Sequence, residues 1–213
     1  MQIAILVYPG FTSLDIIGPY EILGRLPGTE VVLVGGAKGL MTNDLGALSI
    51  DVPATFEDVP APDVVLVGGG PGQVHQMADG RLHEWLRAAD ATSAWTTSVC
   101  TGSLILAGAG LLKGRRATSH WLALEQLPQY GVTPAHERVV IDGHYATAAG
   151  VSSGIDMALK LAGELTDDDV ARTIQLIVEY APEPPYAAGS LDTASPTVVN
   201  LAKARLSGRF ADS

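Results

Sequence analysis

The stretch Trp95-Thr96-Thr97-Ser98-Val99-Cys100-Thr101-Gly102-Ser103-Leu104-Ile105-Leu106 decides the fold. Its first five residues are aromatic, hydroxylic or β-branched and suit a buried strand, whereas Gly102 to Leu112 is small and aliphatic and suits a helix. Cys100 therefore stands at a strand-to-helix corner. Upstream, Ile3 to Tyr8, Glu30 to Val34 and Asp63 to Val67 are short apolar runs that lead into Gly or Pro. Helical patterns occupy Leu14 to Leu26, interrupted near Gly18-Pro19, and Arg81 to Ala89, where Leu82, Trp85, Leu86 and Ala89 share a face. Residues 40 to 58 read as a hairpin or excursion at a sheet edge. Downstream, Val139 to Ile141 and Tyr145 to Ala148 are strands around an Asp142-Gly143 turn, and Ser152 to Leu165 and Asp167 to Tyr180 are helices. Pro182 to Ser195 is too rich in proline for regular structure, and Pro196 opens a last helix. Strands alternating with helices predict an α/β protein: a doubly wound, mainly parallel sheet with helices on both faces, in one domain over residues 1–213.

Composition narrows the function. The 213 residues are 47% hydrophobic and 17% charged, enough apolar content for a sizeable core without metal or disulfide. Thirteen basic against 23 acidic residues give a net charge of −10, which repels a phosphate backbone, so no nucleic-acid partner is expected. The basic cluster Lys113 to Arg116 reads as a solvated turn. A single cysteine excludes an internal disulfide and a multi-thiolate zinc site, and suggests a reducing cytoplasm. Met1 to Gly10 lacks a positive leader, and no run reaches the ~20 apolar residues of a membrane span, so neither export nor membrane insertion is expected. His75, His83, His136 and His144 show no metal-ligand spacing and read as surface or loop residues. No metal site is expected.

Three stretches on the carboxyl edge of such a sheet carry chemistry. Cys100 at its corner has access to helix amides and a positive dipole end, which favour a thiolate; a buried small hydrophobe is the other reading. Gly102, Ser98 and Thr101 keep its neighbourhood small. The run Gly68-Gly69-Gly70-Pro71-Gly72 lacks dinucleotide-binding spacing, and is either a tight turn or, with the Thr101 amide, an anion hole. Asp15, after the first strand, is either a first-turn acid or a proton donor to Cys100. Two full anions ~4 Å apart repel by about 4 kcal/mol at an effective dielectric of 20, so adjacent thiolate and carboxylate should hold one proton between them. His120 either lines the pocket, pairs with the cysteine, or is structural. Asp156 reads as a first-turn helix acid.

Taken together, Leu14-Asp15-Ile16-Ile17-Gly18-Pro19, Thr97-Ser98-Val99-Cys100-Thr101-Gly102-Ser103, Gly114-Arg115-Arg116-Ala117-Thr118-Ser119-His120-Trp121 and Gly154-Ile155-Asp156-Met157-Ala158-Leu159 resemble the PfpI/ThiJ superfamily, a class I glutamine-amidotransferase-like group. The resemblance spans nearly the whole chain. The late segment Glu179 to Tyr186, followed by Ala188-Gly189-Ser190, is similar to the branch that hydrates isocyanides. Thr101 stands where the protease-like branch has a histidine, which disfavours peptidase activity, and Asp15 where many deglycase-like or glyoxalase-like members have a glutamate. Regulators of the superfamily append a helix-turn-helix region, for which a chain ending at Ser213 is expected to have no room.

The resemblance implies a flavodoxin-like fold with a cysteine nucleophile elbow. It further implies cofactor-independent hydration of isocyanides to N-substituted formamides through a thioimidate, with isocyanide and water as reactants, no membrane partner, and a homodimer. Cys100, Asp15 and Thr101 would be catalytic, and Gly69, Gly70 and His120 would bind substrate. A glyoxalase or deglycase acting on reactive carbonyls, and a sensor in which Cys100 oxidises, are the alternatives.

Overall fold

The computed structural model describes residues 1–211, with side-chain surroundings as far as residue 206. In chain order, β1 (Gln2–Leu6) leads into α1 (Ser13–Leu23), β2 (Glu30–Gly35), the hairpin β3 (Gly39–Thr42) and β4 (Ser49–Val52), β5 (Ala54–Thr55) and β6 (Val64–Val67). A 3₁₀ segment at Pro71–Gln76 precedes α2 (Arg81–Asp90), β7 (Trp95–Val99) and α3 (Gly102–Gly108). There follow β8 (Arg116–Ala117), a 3₁₀ segment at Leu124–Tyr130, β9 (Thr133–Pro134), β10 (Val139–Asp142), β11 (Tyr145–Ala148), α4 (Ser153–Leu165), α5 (Asp168–Ile177) and α6 (Pro196–Ala211).

The main sheet has seven strands in the order β10-β11-β7-β6-β1-β2-β5. Every neighbouring pair is parallel except the edge hairpin β10–β11. With helices on both faces this is the expected doubly wound, flavodoxin-like architecture. The chain proceeds to β2 on one side of β1 and to β6, β7 and β11 on the other, so the loops after β1 and β6 open at the switch point where such sheets bind ligands. β6 is buried along its whole length, as is β1 apart from Gln2. That burial explains their unbroken apolar sequences.

Two compact units are distinguished: one runs from Met1 to Val178 and holds the sheet, and the other begins at Glu179. In the second, the irregular proline-rich stretch and the helix opened by Pro196 lie where the sequence places them.

Four sequence expectations need correction. α1 runs unbroken through Gly18-Pro19. Both residues are buried, and a Cβ on Gly18 would lie 3.0 Å from Ile155 Cγ1 of α4, so helix packing offsets the hydrogen bond that Pro19 cannot make. α3 ends at Gly108 rather than Leu112, where Gly110 turns the chain at φ 84°. α5 stops at Ile177, short of Tyr180, and Glu179 takes a left-handed conformation with φ 49°. His83 is not a surface residue: it is fully buried on α2 with Nε2 2.9 Å from the Gln76 carbonyl. Asp167 does cap α5, its carboxylate accepting from the Val170 amide at 2.9 Å. Asp156 lies in the first turn of α4 and pairs with Arg138.

Candidate active site

β7 ends at Val99, and the chain must turn at once into α3 between strands already fixed on both sides. Cys100 makes that turn with φ 59°, a left-handed conformation that costs a non-glycine residue about 1–2 kcal/mol. Hydrogen bonds hold it. Its amide donates to the carbonyls of Ala148 at 3.0 Å and Ala149 at 2.8 Å. Its own carbonyl accepts from Ser103 Oγ at 3.2 Å and Ser119 Oγ at 3.1 Å. Gly102 is required behind it, because a Cβ there would fall 2.1 Å from the Val67 carbonyl oxygen.

Asp15 arrives from the loop after β1. It sits in the first turn of α1 and points inward, with 0% of its surface exposed. Oδ2 accepts from the Gly69 amide at 2.8 Å, Oδ1 has no hydrogen-bond partner among the described residues, and the carboxyl lies close enough to the Cys100 thiol, itself 5% exposed, for each to perturb the other's ionisation. The Thr12 amide donates to the Gly69 carbonyl at 2.9 Å, tying the two loops together. The Gly70 amide donates to Thr101 Oγ1 at 3.0 Å. The amides of Gly69 and Gly70, expected from sequence to face an anion, are thus engaged in holding Asp15 and Thr101. Both positions exclude a side chain: a Cβ on either would come within 2.5 Å of backbone nitrogen, on Thr101 or Thr12 respectively. Ser98 is buried on β7 and its hydroxyl finds no partner among the described residues.

Burial raises the Asp15 carboxyl to about 7, with Asp44 adding to the rise and the Gly69 amide and Cys100 thiol opposing it. Burial also pushes the Cys100 thiol well up, and the Asp15 carboxylate adds to that; the Thr101 amide and hydroxyl pull the other way. The sequence argument that a helix end favours the thiolate is therefore outweighed, because α3 has only seven residues and desolvation with a neighbouring carboxylate dominates. Above pH 7 the resting pair holds one proton, on sulfur.

A carboxyl raised in the folded state keeps its proton where the unfolded chain has lost it. Stability is consequently lost as pH climbs from about 4 to about 7. Asp15→Asn does not titrate, and is expected to be more stable than the wild type at pH 8 by on the order of 4 kcal/mol, or roughly ten degrees in Tm. The advantage should vanish towards pH 4 in thermal unfolding scans. A pH-independent difference would mean that Asp15 ionises normally.

His120 lies in the loop after β8, and burial lowers its proton affinity. Its Nδ1 accepts from the Leu122 amide at 3.3 Å, which leaves Nε2 to carry the proton, and its ring borders Gly150. The structure gives it no bond to Cys100. Tyr8 and Ser119 escaped the sequence reading. Tyr8, just beyond β1, is buried with its hydroxyl donating to the Gly68 carbonyl at 2.9 Å, and burial followed by Asp15, Cys100 and Asp44 holds its phenol well above the usual range. Only its position at the end of the first strand hinted at this. No cluster of three or more His, Cys, Asp or Glu side chains suited to a metal occurs among the described residues.

Known proteins resemble the chain along most of its length. The chain is 44% identical to the isonitrile hydratase of Pseudomonas putida over 96% of its own length and 90% of that protein's. It is 31% identical to the HTH-type transcriptional regulator CdhR of Pseudomonas aeruginosa over 75% of its length, which is 49% of the regulator's. The crystal structure of a ThiJ/PfpI family protein from Pseudomonas syringae superimposes with a TM-score of 0.92 at 40% identity, covering 99% of this chain and 87% of that one. A model of the DJ-1/PfpI family matches residues 1–164, a span that takes in Asp15, the glycine loop, Cys100 and His120: the chain belongs to that family.

Proposed function

We propose that the protein hydrates isocyanides to N-substituted formamides. What carries the reading is the buried Asp15–Cys100 pair in a chain 44% identical to an isonitrile hydratase. In this mechanism the Asp15 carboxylate takes the thiol proton as sulfur attacks the terminal carbon of R–N≡C. Asp15 then delivers that proton to the same carbon, giving the thioimidate R–N=CH–S. Water adds its oxygen to this carbon, and Asp15 relays one water proton to nitrogen. Collapse expels the Cys100 thiolate and releases R–NH–CHO, and the second water proton passes through Asp15 back to the sulfur, restoring the resting pair. The balance is one water consumed, and neither a metal nor a cofactor enters.

Thr101 supports the thiolate through its amide and hydroxyl, Gly69 and Gly70 hold the acid and Thr101, and His120 offers Nε2–H towards substrate or water. The test is kcat/KM for aliphatic and aromatic isocyanides between pH 5 and 9, with methylglyoxal run in parallel. The activity is expected to rise with pH to a plateau above about 7, as the doubly protonated pair loses its first proton. Turnover of methylglyoxal without turnover of any isocyanide would overturn the assignment.

Among the described residues no helix is long and apolar enough to cross a membrane. We place the enzyme in a reducing cytoplasm, in keeping with its lone cysteine, and as a homodimer. Exposed Leu14 and Tyr20 on α1 and Leu176 and Ile177 on α5 offer apolar surface for a second copy. Light scattering should give twice the chain mass of 22.1 kDa; a monomer would contradict the dimer.

A further inference from the structure

We propose that Ser119 is a positioning residue for the nucleophile: its hydroxyl clamps the Cys100–Thr101 peptide so that the Thr101 amide faces the sulfur. A trans peptide is planar, with its carbonyl and N–H pointing in opposite directions. The carbonyl end of this peptide accepts from Ser103 Oγ at 3.2 Å and Ser119 Oγ at 3.1 Å. The other end is the Thr101 N–H, which stabilises charge on the Cys100 sulfur.

The two hydroxyls have different origins. Ser103 belongs to α3 and bonds back over three residues. Ser119 reaches across from the loop after β8, where it is 1% exposed and directly precedes His120. That loop is itself anchored, the Thr118 amide donating to Thr147 Oγ1 of β11 at 2.9 Å. Ser119 therefore fixes the peptide from outside the corner, against relaxation of the strained φ 59° at Cys100. A donor on the carbonyl also polarises the amide and strengthens its N–H as a donor. The Thr101 amide would matter most when sulfur carries charge, at deprotonation and when the thiolate leaves the tetrahedral intermediate.

This inference rests on Cys100 being the nucleophile, and its test needs no isocyanide. Cys100 is the only cysteine, so iodoacetamide alkylation followed by intact mass reports on it alone. Rates would be taken from pH 6 to 10 for the wild type and for Ser119→Ala, Ser119→Val and Ser119→Thr, alongside thermal unfolding. Ala and Val are expected to alkylate about fivefold more slowly at pH 7 with the profile moved to higher pH, and Thr to stay within about twofold of the wild type. Thr and Val differ only in the hydroxyl, so that pair decides even if Ala fails to fold. A wild-type alkylation profile in Val, whatever its Tm, would overturn the clamp, as would a folded Thr variant that recovers nothing. If the wild type turns over no isocyanide, the hydratase reading falls while the alkylation series still decides the clamp.

Discussion

Cys100→Ser lowers isocyanide hydration by about 10⁴-fold or more while the protein stays folded. The substitution replaces the thiol with a slightly smaller hydroxyl at the elbow, and the backbone bonds of residue 100 to Ala148, Ala149, Ser103 and Ser119 do not involve sulfur. What is lost is the nucleophile. A serine hydroxyl holds its proton far too tightly for a carboxyl near pH 7 to remove, so the first addition cannot start. Formamide production measured by mass spectrometry, with Tm as the control for folding, reads the effect. Residual turnover within tenfold of the wild type would show that the sulfur forms no covalent intermediate.

Asp15→Asn lowers the same activity by about 10³-fold, within the range general acid–base groups contribute. Asparagine retains an oxygen for the Gly69 amide, now at 2.8 Å from Oδ2, so the loop arrangement is preserved. It cannot shuttle a proton from sulfur to carbon, nor take one from water. Because the variant also relieves a buried carboxyl, loss of activity should accompany gain of stability at pH 8. A destabilised and inactive variant would instead place Asp15 among the packing residues.

Much of this site was legible in the sequence, for definite reasons. β7 matches Trp95 to Val99 residue for residue because a strand buried on both faces declares itself through β-branched residues, and Gly102 marks the close approach to Val67. The arrival of Asp15 and the glycine loop at one edge follows from parallel topology. What stayed hidden depends on contacts between distant segments. His83 looks like any helix-surface histidine until the Gln76 carbonyl is found against its ring. The amides of Gly69 and Gly70 read as free donors until Asp15 and Thr101 are placed on them. Ser119 lies within the stretch Gly114 to Trp121, yet nothing in its neighbours reveals that it reaches the Cys100 carbonyl nineteen residues away. Nor does sequence weigh a short helix dipole against desolvation, so it leaves open whether the corner favours a thiolate or buries an inert thiol.

One comparison bears most directly on the coupling between sulfur and acid: the rate of Cys100 alkylation by iodoacetamide at pH 8 in the wild type and in Asp15→Asn. The ionised carboxylate beside the thiol suppresses the thiolate, so its removal should make alkylation about tenfold faster in the very variant that no longer hydrates isocyanides. Equal alkylation rates, or slower alkylation in Asp15→Asn, would contradict a shared proton between the two residues.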